Sequence, residues 1–156
     1  MEINKDVQVN LNEIVDTLEM LAMTGEFSRS FVNMHTGRIV TLFEGEDFSD
    51  VEDEDLEGDW IPEHYASLPQ KDELNEYEMM ETFCCSITNG KIQEDLLYAI
   101  QGKGAFGRFK TAVHCHNIEN KWYKFREERL KEIAIEFCER HGLTYHCLDA
   151  AIINFM

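Results

Sequence analysis

The sequence lacks several features that mark particular classes of protein. It has 14 lysines and arginines against 31 aspartates and glutamates, which gives a net charge of −17 over 156 residues. No apolar run approaches the roughly 20 residues that a transmembrane helix needs. The charged segment from Met1 to Gln8 also lacks the apolar core of a secretory signal. We therefore expect a cytoplasmic protein with no membrane partner, and the acidic balance disfavours non-specific binding to nucleic acid.

Cysteine is present in a number that does not suit a disulfide framework. The count of five is odd, and the spacing is not that of a small secreted scaffold. Free cysteine behaves as a small hydrophobic residue, so the pattern predicts reduced and buried thiols. The five are Cys84, Cys85, Cys115, Cys138 and Cys147.

Local motifs of catalysis and metal binding are also missing. The chain contains no G-x-S-x-G elbow, no H-E-x-x-H and no G-x-x-x-x-G-K-[ST] loop. A Cys/His catalytic pair needs no local motif, so it stays open, but an enzyme is the least favoured class. The sets His114–His116 and Cys138/His141 with His146–Cys147 offer soft ligands, yet they do not have the paired spacing of structural zinc. The sequence predicts no cofactor and no metal.

Charge is distributed very unevenly along the chain. The segment 44–59 has ten acidic residues and no lysine or arginine, whereas 101–131 has a balance of +5. Mutual repulsion predicts a solvated acidic loop within a single domain that spans 1–156. A divalent-cation loop is the alternative, but the central Gly and distal Glu of an EF-hand are absent.

Hydrophobic periodicity predicts an α+β fold, helix-rich, in a single domain. An i, i+3, i+4 stripe over Val9–Ala22 indicates an N-terminal helix, capped by Asn10 or Asn12. Two β-rich runs over 27–43 indicate an early hairpin. Its third strand would come from 60–62 or 143–147. From Lys71 onward the spacing is helical and predicts a C-terminal helical bundle.

The most distinctive segment is the run from Gly102 to Lys110. Its G-x-G-x-x-G spacing matches a dinucleotide loop, but the helical pattern before it leaves no βαβ unit around it. A helix–Gly–helix junction explains the run better. Gly102 ends one helix and Gly104 admits the start of the next in close contact. Phe106 and Phe109, three residues apart, are expected to share a buried face.

Cations surround the N-terminus of the second helix of this junction. Free N–H groups and the positive end of the helix dipole attract anions there. The alternative is that the cations are only solvated or pair with the acidic loop. Farther along, Trp122 and Phe125 continue an apolar stripe and are expected to face the core, which leaves Tyr123 as a surface residue. The predicted ligand-binding residues, for an anion or a partner, are Lys103, Gly104, Arg108, Lys110, Tyr123 and Lys124.

These segments resemble a bacterial family of uncharacterised proteins, of the UPF type. That family has a Gly-Arg/Lys-Gly-Ala-Phe-Arg-Arg-Phe-Lys signature followed by Trp-Tyr-x-Phe. The chain matches at 102–106, 108–110 and 122–125, and its helix-then-hairpin layout is also similar. Gly107 departs from the signature, because the family tends to have arginine there. The resemblance implies no known activity.

The sequence therefore predicts a non-enzymatic interaction or regulatory domain. Its contact surface would centre on the basic junction and bind an unknown protein partner. One alternative is a phosphate-bearing ligand or a single-stranded nucleic acid at the same junction. Another is that the acidic surface mimics DNA.

Overall fold

The fold is known from a computed structural model that describes residues 8–46 and 62–146. The strands are β1 (Gln8–Asn10), β2 (Ser28–Asn33), β3 (Ile39–Phe43), β4 (Tyr65–Ser67) and β5 (Thr144–His146). The helices are α1 (Leu11–Thr24), α2 (Lys71–Leu74), α3 (Glu76–Ser86), α4 (Gly90–Ala99), α5 (Ala105–Cys115) and α6 (Glu119–Arg140). Short 3-10 turns occupy Gly25–Phe27 and Pro62–His64. Most of the acidic segment 44–59, on which the loop and DNA-mimic predictions rest, lies outside the described residues.

Helix α1 begins and ends where local chemistry requires. The Asn10 side chain accepts a hydrogen bond from the Asn12 N–H, which satisfies one donor of the first turn. Gly25 ends the helix at φ 59°, in the region that glycine adopts without steric cost. Between these caps, the predicted stripe is buried: Leu11, Ile14, Val15, Leu18, Leu21 and Ala22.

The early hairpin is confirmed, and β4 is the third strand of its sheet; of the predicted candidate 60–62, residues 60 and 61 lie outside the described residues. Strands β2 and β3 pair antiparallel in the register Ser28↔Phe43, and β4 adds to the other side of β2. The segment 143–147 does not pair with the hairpin, because β5 runs parallel to β1 in a separate two-stranded sheet. Residues 65–67 supply the third strand, because the side chains of Tyr65 and Ala66 are buried beside β2.

The helical segment that begins at Lys71 is interrupted at Asn75. Asn75 adopts a left-handed conformation with φ 51°, and its side chain accepts a hydrogen bond from the Glu78 N–H. It therefore ends α2 and caps α3. Asparagine tolerates this conformation better than most residues with a side chain, which explains the break without a glycine or proline.

The chain divides into two compact units. The first combines the residues before Asn75 with those from Leu130 onward, and the second is Asn75–Arg129. The α+β fold class is confirmed, with the N-terminal helix, the hairpin and the C-terminal helices. Among the described residues, no helix is both long and apolar enough to cross a membrane. The single-domain boundary 1–156 stays a prediction.

The second unit is held together by an aromatic cluster. The ring of Phe83 in α3 lies edge-on to Phe109 of α5 and Trp122 of α6, with centroids 6.1 and 5.3 Å apart. Phe109 and Trp122 are themselves 4.8 Å apart, in the T-shaped geometry that aromatic quadrupoles favour. The expectation that Trp122 and Phe125 face the core holds: Trp122 is buried and half-buried Phe125 contacts Phe83.

Candidate functional site

The helix–Gly–helix junction lies where the glycine run predicts it. Helix α4 ends at Ala99 and α5 begins at Ala105, in the second unit. Gly102 and Gly104 have φ angles of 76° and 79°, which residues with a Cβ rarely adopt. Gly104 is the residue that precedes the first turn of α5. The two glycines therefore have the conformational role that the sequence assigns to them.

Side chains from neighbouring helices bind the carbonyl oxygens of the junction. Arg108 Nε donates a hydrogen bond to the Ala99 carbonyl oxygen at 2.9 Å. Its two terminal nitrogens donate to the carbonyl oxygens of Gln101 and Lys103. The hydroxyl of Tyr77 donates to the Ile100 carbonyl oxygen at 3.0 Å. These four carbonyls belong to the last residue of α4 and to the turn after it, where the helix supplies no further N–H donor, so the side chains stabilise the turn.

Arg108 thus has a structural role that the sequence did not reveal. We predicted it as a ligand-binding cation, and that role stays a prediction. Three of its five N–H donors are already committed to carbonyl oxygens of the same unit. The lysines are therefore the cations whose charged groups are available to a ligand.

Lys103, Phe106 and Lys110 form an exposed basic stripe around the start of α5. Phe106 and Lys110 are one helical turn apart, and Lys103 lies just before the helix. All three are exposed, with Phe106 at 43 %. From Gln101 to Ile118 the chain has no aspartate or glutamate, although its net charge is −17. We call these three residues the basic stripe.

The expectation that Phe106 and Phe109 share a buried face is wrong. Phe109 is 1 % exposed, whereas Phe106 faces solvent. The buried positions of α5 are Ala105, Phe109 and Val113, four residues apart, and Phe106 is offset from the direction of Phe109 by about 60° around the helix. The exposure of Phe106 matters for function, because it places an aromatic ring on the surface.

The segment that contains the predicted residues Tyr123 and Lys124 packs against α5 through buried rings. Trp122 contacts Phe109, which lies between Arg108 and Lys110 in sequence. The residues that follow, Tyr123 and Lys124, are exposed, as predicted. The unit thus presents exposed aromatic rings beside lysines at the start of two successive helices.

The far end of α5 has histidines paired with carboxylates. His114 Nδ1 lies 2.5 Å from a carboxylate oxygen of Glu119, and His116 Nε2 lies 3.1 Å from a carboxylate oxygen of Asp95. Positive charge is favoured at a helix C-terminus by the helix dipole. These pairs link the end of α5 to α4 and α6, and they account for His114 and His116 without a metal.

The prediction of buried thiols is confirmed for Cys84 and Cys138 and wrong for Cys85 and Cys115, which are exposed. Burial raises the pKa of the Cys84 thiol to about 11, with a further contribution from Cys85. Burial also raises the pKa of Cys138 to about 11. Since the thiolate is the nucleophile and the metal ligand, both are poorly suited to either role at neutral pH. Within the described ranges no group of three or more His, Cys, Asp or Glu side chains could hold a metal ion; Cys147 lies outside those ranges.

Comparison with known proteins identifies the family but no activity, ligand or partner. A family model described as an uncharacterised protein family, UPF0158, matches residues 10–149. The chain belongs to this family. The match covers most of the chain and includes the whole junction, while the proposed signature of the glycine run stays a prediction. No curated protein and no solved structure matches the chain. Membership of an uncharacterised family transfers no activity.

Proposed function

We propose that the chain is a non-enzymatic interaction domain that binds an acidic segment of a partner protein through the basic stripe. The observation that carries this proposal is the exposure of Phe106 between Lys103 and Lys110. An aromatic residue flanked by cations offers apolar contact area together with positive charge that complements an acidic partner. Both features contribute to binding at protein interfaces. The absence of any carboxylate from Gln101 to Ile118 leaves this charge uncompensated within the segment.

Rigidity of the junction supports the same function. The backbone before the stripe is held by Arg108 and Tyr77 through four carbonyl oxygens. A surface whose backbone is ordered before binding loses less conformational entropy on association. The structural role of Arg108 therefore serves the basic stripe indirectly.

Photo-crosslinking in the native host tests this proposal. Phe106 is replaced by benzoyl-phenylalanine, and Tyr98 of α4, which is 77 % exposed in the same unit, is replaced in a matched control. We expect a discrete crosslinked product from position 106 and none from position 98. In the protein with the photoreactive residue at position 106, Lys110→Glu should reduce the yield of crosslinked product about tenfold. This corresponds to a loss of about 1.4 kcal/mol in the free energy of binding. Lys91→Glu, on an exposed lysine of α4, should leave the yield unchanged. Equal products from 106 and 98, or equal effects of the two lysine changes, would exclude the stripe as the interface.

A phosphate-bearing ligand or a single-stranded nucleic acid is the second candidate for this surface. Phe106 and Tyr123 are exposed rings next to lysines, and base stacking on such rings is the usual basis of single-strand binding. Fluorescence anisotropy with a labelled oligothymidylate, measured at 50 and 200 mM salt, separates the candidates. Binding that falls steeply with salt and is lost in Lys103→Ala/Lys110→Ala would favour nucleic acid, because counterion release then dominates the affinity.

A further inference from the structure

An open cleft lies in the first unit, away from the residues of the junction. It forms between the end of α1, the turn Gly25–Phe27 and the start of α2, and its volume is about 370 Å³. This is at the small end of the range for ligand pockets, so it suits one large side chain better than a cofactor. Its lining residues are Met23, Thr24, Gly25, Glu26, Phe27, Gln70, Lys71 and Asp72.

The apolar part of the cleft is unusually exposed. Met23 and Phe27 are 87 % and 63 % exposed. The backbone of Phe43, whose side chain is 48 % exposed, is close by, because the Glu44 N–H next to it donates a hydrogen bond to the Phe27 carbonyl oxygen at 2.8 Å. Single exposed apolar residues are ordinary, but a cluster rimmed by polar groups marks an interaction site.

The electrostatics of the cleft favour a cation. Glu26 and Asp72 both line it, and neither forms an ion pair with another described residue. The cleft is also at the C-terminal end of α1, where the helix dipole is negative and the last turn has no basic residue. Lys71 is the one cation among the lining residues.

We propose that this cleft binds the side chain of an arginine presented by a segment of a partner protein. A guanidinium group stacks on an aromatic face, here Phe27, and forms charge-assisted hydrogen bonds with carboxylates, here Glu26 and Asp72. The aliphatic stem of the arginine would lie along Met23. The partner is a protein segment and not a free diamine, because Met23 is 87 % exposed and offers apolar area to the residues next to the arginine.

Titration of the ¹⁵N-labelled full chain, followed by amide resonances, tests the charge requirement. The probes are N-acetyl-arginine methylamide and its neutral isostere, N-acetyl-citrulline methylamide. We expect the arginine probe to shift the amides of Gly25, Phe27 and Asp72 in a saturable way, and the citrulline probe to bind at least about tenfold more weakly. Equal binding of the two probes, or shifts confined to the second unit, would overturn the proposal.

Variants of the cleft test the assignment of residues. Glu26→Gln/Asp72→Asn should weaken binding of the arginine probe about tenfold, whereas Lys71→Gln should strengthen it by removing a competing cation. The control Glu94→Gln/Glu128→Gln removes the same charge from exposed sites in the second unit and should have no effect. Equal weakening in both double variants would show that only net charge matters and would overturn the proposal.

Two further probes test whether the bound cation belongs to a protein segment or to a free diamine. The acetylated peptide amide Leu-Gly-Arg-Gly-Leu should bind more tightly than the arginine derivative alone, because its leucines contact Met23. Putrescine, a free diamine, should bind more weakly than the peptide. Putrescine binding as tightly as the peptide would overturn the assignment of a protein segment.

Discussion

Gly104 leaves the space that the Arg108 side chain occupies. A Cβ placed on Gly104 would lie 2.9 Å from Arg108 Nη1, closer than carbon and nitrogen approach without a shift. The same glycine has a φ angle of 79° and immediately precedes α5. One residue therefore satisfies a backbone requirement and makes room for the side chain that binds the carbonyls of the junction.

Gly104→Ala should destabilise the protein. A residue with a Cβ in the left-handed region costs about 1–2 kcal/mol, and the displaced guanidinium adds to that cost. Gly107→Ala is the matched control, because Gly107 lies in α5 with ordinary φ and nothing within 4 Å of its Cβ position. It should stabilise the protein by about 0.5–1 kcal/mol, since alanine is the better helix former. Urea unfolding measures both; a neutral Gly104→Ala would show that the conformation and the close approach do not matter.

Arg108→Lys should also destabilise, although it keeps the charge. Lysine cannot donate in three directions from a planar group to the carbonyls of Ala99, Gln101 and Lys103. Hydrogen bonds from charged groups are worth more than neutral ones, but this side chain is exposed, so we expect a loss of about 1 kcal/mol. Lys110→Met, at an exposed position of the same helix, should change the free energy of unfolding by less than about 0.5 kcal/mol. Similar values for the two variants would mean that the arginine contacts contribute nothing.

The two phenylalanines of α5 should behave oppositely on truncation. Phe109→Ala leaves a cavity in the aromatic cluster and should cost about 3–5 kcal/mol. Phe106→Ala removes an exposed ring and should cost less than about 0.5 kcal/mol, while it abolishes partner binding if the basic stripe is the interface. Thermal unfolding and the crosslinking assay, with the photoreactive group moved to Lys103, measure the two effects separately. A strongly destabilised Phe106→Ala protein would indicate a structural role for that ring.

Thiol reactivity should separate the four described cysteines into two classes. Iodoacetamide at pH 8 should modify the exposed Cys85 and Cys115 and spare Cys84 and Cys138, because the latter are buried and their pKa is about 11. Peptide mass spectrometry before and after unfolding reads out each site. Rapid modification of Cys84 or Cys138 in the native protein would contradict this.

The same raised pKa values predict a loss of stability at alkaline pH. In the folded protein Cys84 loses its proton near pH 11, whereas in the unfolded chain its thiol ionises near its ordinary pKa of 9.0. Ionisation of the unfolded state therefore lowers the free energy of unfolding as the pH rises from about 9 to about 11. Cys84→Ala should lower the overall stability but reduce this decline. An unchanged slope would show that the thiol does not titrate differently in the two states.

Local interactions specify the helices, the hairpin and the junction. The apolar stripe of α1, the caps at Asn10 and Gly25, and the glycines of the junction act through interactions within a few residues of each other. Such interactions are encoded by spacing, so sequence reasoning can recover them. The exposed character of Tyr123 and Lys124 follows from the same periodicity.

Contacts between residues far apart in sequence depend on how the elements pack in three dimensions. The third strand of the hairpin comes from 65–67, the strand 144–146 pairs with 8–10, and Tyr77 binds the carbonyl oxygen of Ile100. These contacts join residues far apart in sequence, and no local pattern records them. Arg108 shows the difference most clearly: composition marks it as a cation, and only the positions of three carbonyl oxygens make it a part of the junction.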